Sequence, residues 1–298
     1  MGTPEQAVPS LQRLARHEDI GLVITRPDRP SGRGRQARPS PVATAAARMG
    51  IPTVKTESRQ QLLDAIDGRW ELGVVVAFGM LIPETLLERV SLGFVNLHFS
   101  LLPRWRGAAP VRRALLAGDQ ITGVTVFKLV EELDAGPILA SAQVEIGPAE
   151  RATELTDRLA TLGAAVLAET VHAYRLGQIS PRAQPEAGAT LAPKLDKDDQ
   201  RIRVAASAGE WVRRVKAMGL TPGAFALLDG ERFKVLAARN AIKAQPLPPG
   251  ELAMQGGRLL CGTGRGVVEL LEVQLPGRSI MTGAAWARGR RHPLGTLT

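Results

Sequence analysis

The run Gly93-Phe94-Val95-Asn96-Leu97-His98-Phe99-Ser100-Leu101-Leu102-Pro103 decides how this chain is read. Its first six residues form a short apolar run opened by glycine, which predicts a strand. Pro103, followed by Arg104, Arg106 and Gly107, predicts that the strand runs out into a loop. Side chains alternate across a strand, so Asn96 and His98 share one face, about 7 Å apart along the backbone, while Val95 and Leu97 take the other. In open parallel sheets ligands bind beyond the carboxyl ends of the strands. A carboxamide and an imidazole therefore stand where a site is expected. Leu133-Asp134-Ala135-Gly136-Pro137 adds a carboxylate in a later loop bounded by glycine and proline. Amide, imidazole and carboxylate are the groups needed to move an acyl unit onto an amine without a covalent intermediate.

Plainer readings of these residues carry less weight. A single histidine is more often structural than catalytic, but Asn96 two residues away and Asp134 in a loop count against that here. No metal centre is expected, because His17, His172 and His292 are far off in sequence and no spacing matches a zinc or two-metal ligand set. Ser100 with His98 and Asp134 would make a hydrolase triad, yet the Gly-x-Ser-x-Gly elbow is missing.

Working outward, strands are predicted at 20–25, 72–77, 94–98, 124–129 and 138–144, and helices at 7–16, 41–49, 60–66 and 111–116. Strands alternating with helices predict an α/β, Rossmann-like, doubly wound and mostly parallel sheet. Residues 150–174 carry leucines and valines at helical spacing and predict a long packing helix. A stretch rich in Pro, Gly, Ala and charge then predicts a linker, so the expected division is a catalytic domain over 1–176, a linker over 177–200 and a second domain over 201–298. In that last part, strands broken by Asp229-Gly230, Gly256-Gly257 and Gly262 predict a small OB-like β-barrel. Gly262-Thr263-Gly264-Arg265-Gly266 has no following helix and no P-loop lysine, so it is read as a turn. Trp211 is read as the anchor of a short helix.

Charge is distributed unevenly. Residues 201–298 hold 15 Lys and Arg against 6 Asp and Glu, whereas residues 1–200 hold 23 of each, so the whole net charge of +9 lies in the last third. A basic domain appended to a neutral one is an electrostatic footprint for nucleic acid. Between Arg26 and Arg38 there are five Arg and one Asp, with two glycines and Pro30 arguing against regular structure, which predicts a flexible cationic arm for phosphates. The 298 residues, 44% hydrophobic, are enough for two domains. Cys261, the single cysteine, excludes an internal disulfide and fits a reducing cytoplasm. No apolar run approaches the roughly 20 residues that span a bilayer, and no signal-peptide pattern opens the chain. Only 4% aromatic content argues against recognition of single strands by stacking.

Asn96 and His98, Ser100-Leu101-Leu102-Pro103, Arg106-Gly107-Ala108-Ala109-Pro110, Gly118-Asp119, Thr122-Gly123 and Leu133-Asp134-Ala135-Gly136 together resemble the methionyl-tRNA formyltransferase family over nearly the whole chain. Asn-x-His with a later Asp is shared by the wider group of enzymes that use 10-formyltetrahydrofolate, so it specifies chemistry rather than acceptor. The resemblance implies 10-formyltetrahydrofolate as donor co-substrate, without a metal, and the amino group of methionyl initiator tRNA as acceptor. It implies that Asn96 donates to the oxyanion of a tetrahedral intermediate with help from His98, and that Asp134 orients His98 and takes the amine proton directly or through water. Ser100, Leu101, Leu102 and Pro103 would line the folate pocket, with Phe78 and Gly79 beside the pteridine. Arg29, Arg33, Arg35 and Arg38 would belong to the basic loop that enters the tRNA acceptor end. A monomer in the cytoplasm, with no membrane partner, is expected.

The chain departs from the family at its start. Members begin with a short hydrophobic strand before Gly-Thr-Pro-Glu, where this chain has Met1 alone, so the first strand is expected to be missing and the natural start to lie upstream or to be misassigned. Two other readings share parts of the pattern. A formyltransferase for a sugar-nucleotide amine or a small amine needs the same trio but neither the arginine loop nor the basic carboxyl domain. A catalytically silent RNA-binding protein would not need all three catalytic groups.

Overall fold

In the computed structural model, which describes residues 1–31, 36–67, 70–290 and 293–298, the chain divides into two units. The first comprises Met1–Pro110, Ile121–Glu145 and Thr156–Ala192, the second Val111–Gln120, Ile146–Leu155 and Pro193–Thr298. Residues 177–192, part of the stretch read as a linker, thus fall within the first unit.

That unit starts with α1 (Val8–Leu14), β1 (Val23–Thr25), a hairpin of β2 (Arg29–Ser31) and β3 (Gln36–Arg38), α2 (Pro41–Arg48), β4 (Thr53–Lys55) and α3 (Arg59–Ala65). It continues through β5 (Gly73–Val75), α4 (Glu84–Leu87) and β6 (Phe94–His98); the chain then forms α5 (Pro110–Ala117), nearly all of it in the second unit, and returns to the first for β7 (Ile121–Lys128), β8 (Ile138–Glu145) and most of the long α6 (Ala152–Arg175). Local chemistry sets several helix starts. Ser40 accepts from the Ala43 N–H at 3.0 Å, with Pro41 in the first turn of α2, and Ser58 accepts from the Gln61 N–H at the start of α3.

β1 and β4 pair in parallel, as do β5 and β6. β7 runs antiparallel to both β6 and β8, the antiparallel part of a sheet expected to be mostly parallel. The physical reason for the β7–β8 pairing is the short connection over 129–137, with no helix to make a crossover; antiparallel neighbours are what such a link permits. The place given to a first strand holds Met1 and Gly2. Met1 donates its amino N–H to Val74 O at 2.6 Å and accepts from Val76 N–H at 2.9 Å, while Gly2 donates to Ile24 O at 3.1 Å, so two residues tie β1 to β5. Leu62, Leu86 and Phe94 are fully buried among Ile24, Ile66, Val75, Phe78 and Val90, which fixes the depth at which β5 and β6 end.

The basic arm also needs a correction. Arg29–Ser31 and Gln36–Arg38 pair as antiparallel strands, although glycine and proline argue against regular structure there. Pro30 is tolerated because a two-stranded ribbon has only edges, where a missing N–H leaves no ladder bond broken on its outer side.

The second unit contains α7 (Lys197–Gln200), α8 (Ala208–Met218), β9 (Ala224–Leu228), β10 (Glu231–Asn240), β11 (Leu252–Gln255), β12 (Arg258–Gly262), β13 (Val267–Gln274), β14 (Met281–Thr282) and α9 (Gly283–Arg288). The strands form an antiparallel sheet ordered β11-β12-β13-β10-β9, with β14 on β13. The carboxyl tail joins its two ends: Thr296 bridges Glu251 beside β11, and Leu297 bridges Leu228 in β9. A sheet closed in this way has no open edge between β9 and β11, which is how a small barrel avoids pairing with other chains. Ser207 and Glu210 form a reciprocal capping box on α8, and Trp211, 1% exposed, donates its Nε1–H to Arg203 O at 3.1 Å, anchoring the helix.

Candidate active site

β6 delivers the two central side chains. Leu97 turns to the opposite face and packs on α6 at Gly163, where a Cβ would press on the Leu97 methyls; a glycine in mid-helix lets strand and helix approach. Asn96 and His98 face a cavity of about 590 Å³ that is also lined by Phe78, Gly79, Met80, Leu81 and Ile82 beyond β5, by Gly107 and Ala108, and by Leu129, Leu133 and Asp134. Among the described residues the Asn96 carboxamide has no hydrogen-bond partner, so its N–H groups remain available to a guest.

His98 is held through its ring nitrogens. Nε2 lies 2.8 Å from the Trp105 carbonyl oxygen, which only accepts, so Nε2 carries the hydrogen and donates. In the neutral ring Nδ1 is then the basic nitrogen, and it stands 3.6 Å from Asp134 Oδ2. That separation is an electrostatic contact rather than a hydrogen bond. Burial pushes the His98 pKa below the ordinary histidine range, against the opposing pull of Asp134 and of the Trp105 carbonyl. The ring therefore rests neutral, with a carboxylate waiting beside the nitrogen that would receive a proton.

Asp134 is itself fixed. Its Oδ2 accepts the Gly107 N–H at 2.8 Å, and its backbone lies at φ 52°. Ala77 at φ 47° and Trp105 at φ 66° share that left-handed region, so three of the four such non-glycine residues described surround this one site. Each costs roughly 1 kcal/mol or more and persists because neighbours over-determine it, a pattern that collects at functional sites. Two residues on, a Cβ at Gly136 would collide with the Lys128 carbonyl oxygen, so only glycine lets the loop fold back against the end of β7.

Of the residues expected here, Asn96, His98, Asp134, Phe78 and Gly79 come together around the cavity. Ser100, Leu101, Leu102 and Pro103 do not line it. Ser100 is wholly buried and donates to Arg104 O at 2.6 Å, while Thr125 of β7 donates to Ser100 O and accepts from Leu102 N–H, knitting the turn to the sheet behind the site. The apolar wall is made instead by Met80, Leu81, Ile82, Leu129 and Leu133. For 80–82 the signal was legible, an apolar run just past the end of a predicted strand; the part played by the Trp105 carbonyl had no signal. Arg29 and Arg38 are exposed and stand directly opposite each other in the hairpin, whereas Arg33 and Arg35 lie outside the described residues. Among the described residues, no group of three or more His, Cys, Asp or Glu is placed to hold a metal ion, and no helix is long and apolar enough to cross a membrane.

Fold and site meet in the formyl transferases: a family model described as formyl transferase matches residues 3–171, and one described as formyl transferase, C-terminal domain, matches 194–291. A sugar 3N-formyl transferase, WlaRD, solved in the presence of dTDP and 5-N-formyl-THF, has a similar fold at a TM-score of 0.70 and 16% identity, covering 93% of this chain and 97% of its own. Sequence goes further than fold. The methionyl-tRNA formyltransferase of Cutibacterium acnes is 44% identical over 310 residues, covering 99% of this chain and 97% of the relative. That of Leifsonia xyli subsp. xyli is 47% identical over 291 residues, covering 97% and 95%. The chain belongs to the methionyl-tRNA formyltransferase family.

Proposed function

We propose that the cavity beyond β6 is where a formyl group passes from 10-formyltetrahydrofolate to the α-amino group of methionyl initiator tRNA, with Asn96, His98 and Asp134 as the working groups. The observation that carries this is the neutral His98 ring, whose bare Nδ1 and neighbouring Asp134 carboxylate face the same cavity as the unpartnered Asn96 amide. The apolar wall from Phe78 to Ile82, with Leu129 and Leu133, suits a flat heteroaromatic donor.

In this mechanism the amine nitrogen forms a bond to the formyl carbon, and the carbonyl electron pair moves onto oxygen. Asn96 donates an N–H to that oxyanion, a contact of a kind worth about 10² to 10³ in rate. The amine proton passes to His98 Nδ1, directly or through a water, and Asp134 stabilises the resulting imidazolium. Collapse of the intermediate breaks the bond from the formyl carbon to the folate nitrogen, which as it leaves takes up the proton that His98 Nδ1 received, returning the ring to its neutral form. His98 thus acts mainly as the proton carrier, with its Nε2–H already committed to Trp105.

The acceptor enters from the basic elements. Arg29 and Arg38 place like charges directly opposite one another, an arrangement that is unfavourable by itself and is relieved by an anion lying across both. Phosphates of the tRNA acceptor end are that anion, with Arg33 and Arg35 of the same arm adding charge, and the +9 excess of residues 201–298 adds a second basic surface. The protein works as a monomer in the cytoplasm. The test is transfer of labelled formyl to initiator and elongator methionyl-tRNA in parallel: transfer to the initiator alone is expected, and no transfer to either would overturn the assignment.

A further inference from the structure

The loop that carries Asp134 is held by a side chain fifty residues further along. Gln184 donates its Nε2 hydrogens to the carbonyl oxygens of Asp134 at 2.8 Å and Gly136 at 2.7 Å. Its Oε1 accepts from Arg106 Nε at 3.1 Å and Nη2 at 2.9 Å. Both donors and both acceptor sites of the carboxamide are therefore in use, which fixes its orientation. Arg106 reaches the same loop from the other side, with Nη1 at 3.6 Å from Glu132.

The segment around Gln184 is anchored at both ends. Arg182 exchanges a pair of backbone hydrogen bonds with Ile138, at 2.8 and 2.7 Å, just beyond the Asp134 loop. Further on, Thr190 O accepts from Arg106 N–H at 2.8 Å, its Oγ1 accepts from Trp105 N–H at 2.9 Å, and Ala192 donates to Arg106 O at 2.6 Å. One stretch of chain thus braces both partners of His98, Asp134 through Gln184 and the Trp105 carbonyl through Thr190.

We infer that Gln184 is a positioning residue for formyl transfer, setting the distance between Asp134 and His98 Nδ1 while touching neither substrate. Its warrant is geometric. Asp134 sits at φ 52°, a conformation that relaxes unless its peptide is tied down, and Gln184 bonds the carbonyl of that very residue. A relaxed loop moves the carboxylate away from Nδ1, and a displacement of about 1 Å in a catalytic group costs on the order of 10²-fold in rate. This inference rests on the catalytic assignment above.

The test uses the full-length protein with Gln184→Met, which keeps the bulk and removes all four hydrogen bonds, and Gln184→Glu, which keeps an acceptor for Arg106 but loses both donors. Each is expected to lower kcat by about 10- to 100-fold, with KM for both substrates within about threefold. In Gln184→Met the acidic limb of the pH–rate profile should move to lower pH, because the carboxylate that raises the His98 pKa has withdrawn. In an Asp134→Asn background, Gln184→Met should cost no more than about a further twofold, since it acts through the carboxylate already removed. A wild-type kcat and pH profile in both single variants would overturn the inference, as would full additivity with Asp134→Asn. If Asp134→Asn alone kept wild-type activity, the catalytic assignment itself would fall, and the two failures are thereby distinct.

Discussion

Replacing Asp134 by Asn removes one charge and almost nothing else. The amide oxygen can still accept the Gly107 N–H that now reaches Oδ2 at 2.8 Å, so the loop has no steric reason to move. What disappears is the attraction between a carboxylate and an imidazolium 3.6 Å away. With an effective dielectric of about 20, that attraction is about 4 to 5 kcal/mol. The resting ring is neutral and does not feel it, so the whole difference falls on the state in which the proton has reached Nδ1. At about 1.4 kcal/mol per decade, kcat should drop by roughly 10³-fold, inside the range of about 10² to 10⁴ usual for acid–base groups. KM for the folate donor and for the tRNA should change little. The assay is single-turnover transfer from saturating 10-formyltetrahydrofolate to methionyl-tRNA, followed across pH. A kcat within about fivefold of wild type would refute the role of the carboxylate.

Other changes follow from the same geometry. Asn96→Ala should lower kcat by about 10² to 10³ while leaving the thermal midpoint nearly unchanged, as a half-buried amide with no hydrogen-bond partner among the described residues contributes little to folding; comparable turnover in wild type and variant would remove Asn96 from the reaction. Gly136→Ala places a methyl against the Lys128 carbonyl and should destabilise the fold by about 1 to 3 kcal/mol in a denaturant titration, with activity falling in parallel. Arg29→Ala with Arg38→Ala should weaken tRNA binding and reduce the slope of log affinity against log salt by about 1 for each phosphate no longer neutralised; an unchanged slope would mean that the hairpin does not touch the backbone. His98 links stability to pH. Its folded pKa lies below the unfolded value of 6.5, so the unfolded chain binds more protons on the acid side and stability falls as pH drops through and below that value. His98→Gln should flatten that decline, which chemical denaturation at a series of pH values would measure.

Much of the site is legible without coordinates because strand chemistry is local. Alternation along Phe94–His98 puts Asn96 and His98 on one face, and a terminating Pro103 puts them at a strand end. The strand order is less accessible. The number of residues between β7 and β8 argues for antiparallel pairing, whereas the alternation of strands and helices upstream speaks only for the parallel strands before them. The family resemblance places Ser100 to Pro103 at the folate pocket; the bonds of Ser100 O and Leu102 N–H to Thr125 of β7 depend on a strand 25 residues away that no local pattern puts there.

The chain by itself determined which chemical groups are present, their alternation along one strand, the concentration of positive charge in its last third, and the glycines that allow tight loops. These follow from short-range sterics and composition, which need no partner. Only the tertiary structure decided the tautomer of His98, because that depends on a carbonyl brought to Nε2 by a loop turning through φ 66° at Trp105. It also decided the bracing of Asp134 by Gln184, since hydrogen bonds between residues 50 positions apart carry no periodic signature and form only once packing has closed the intervening chain.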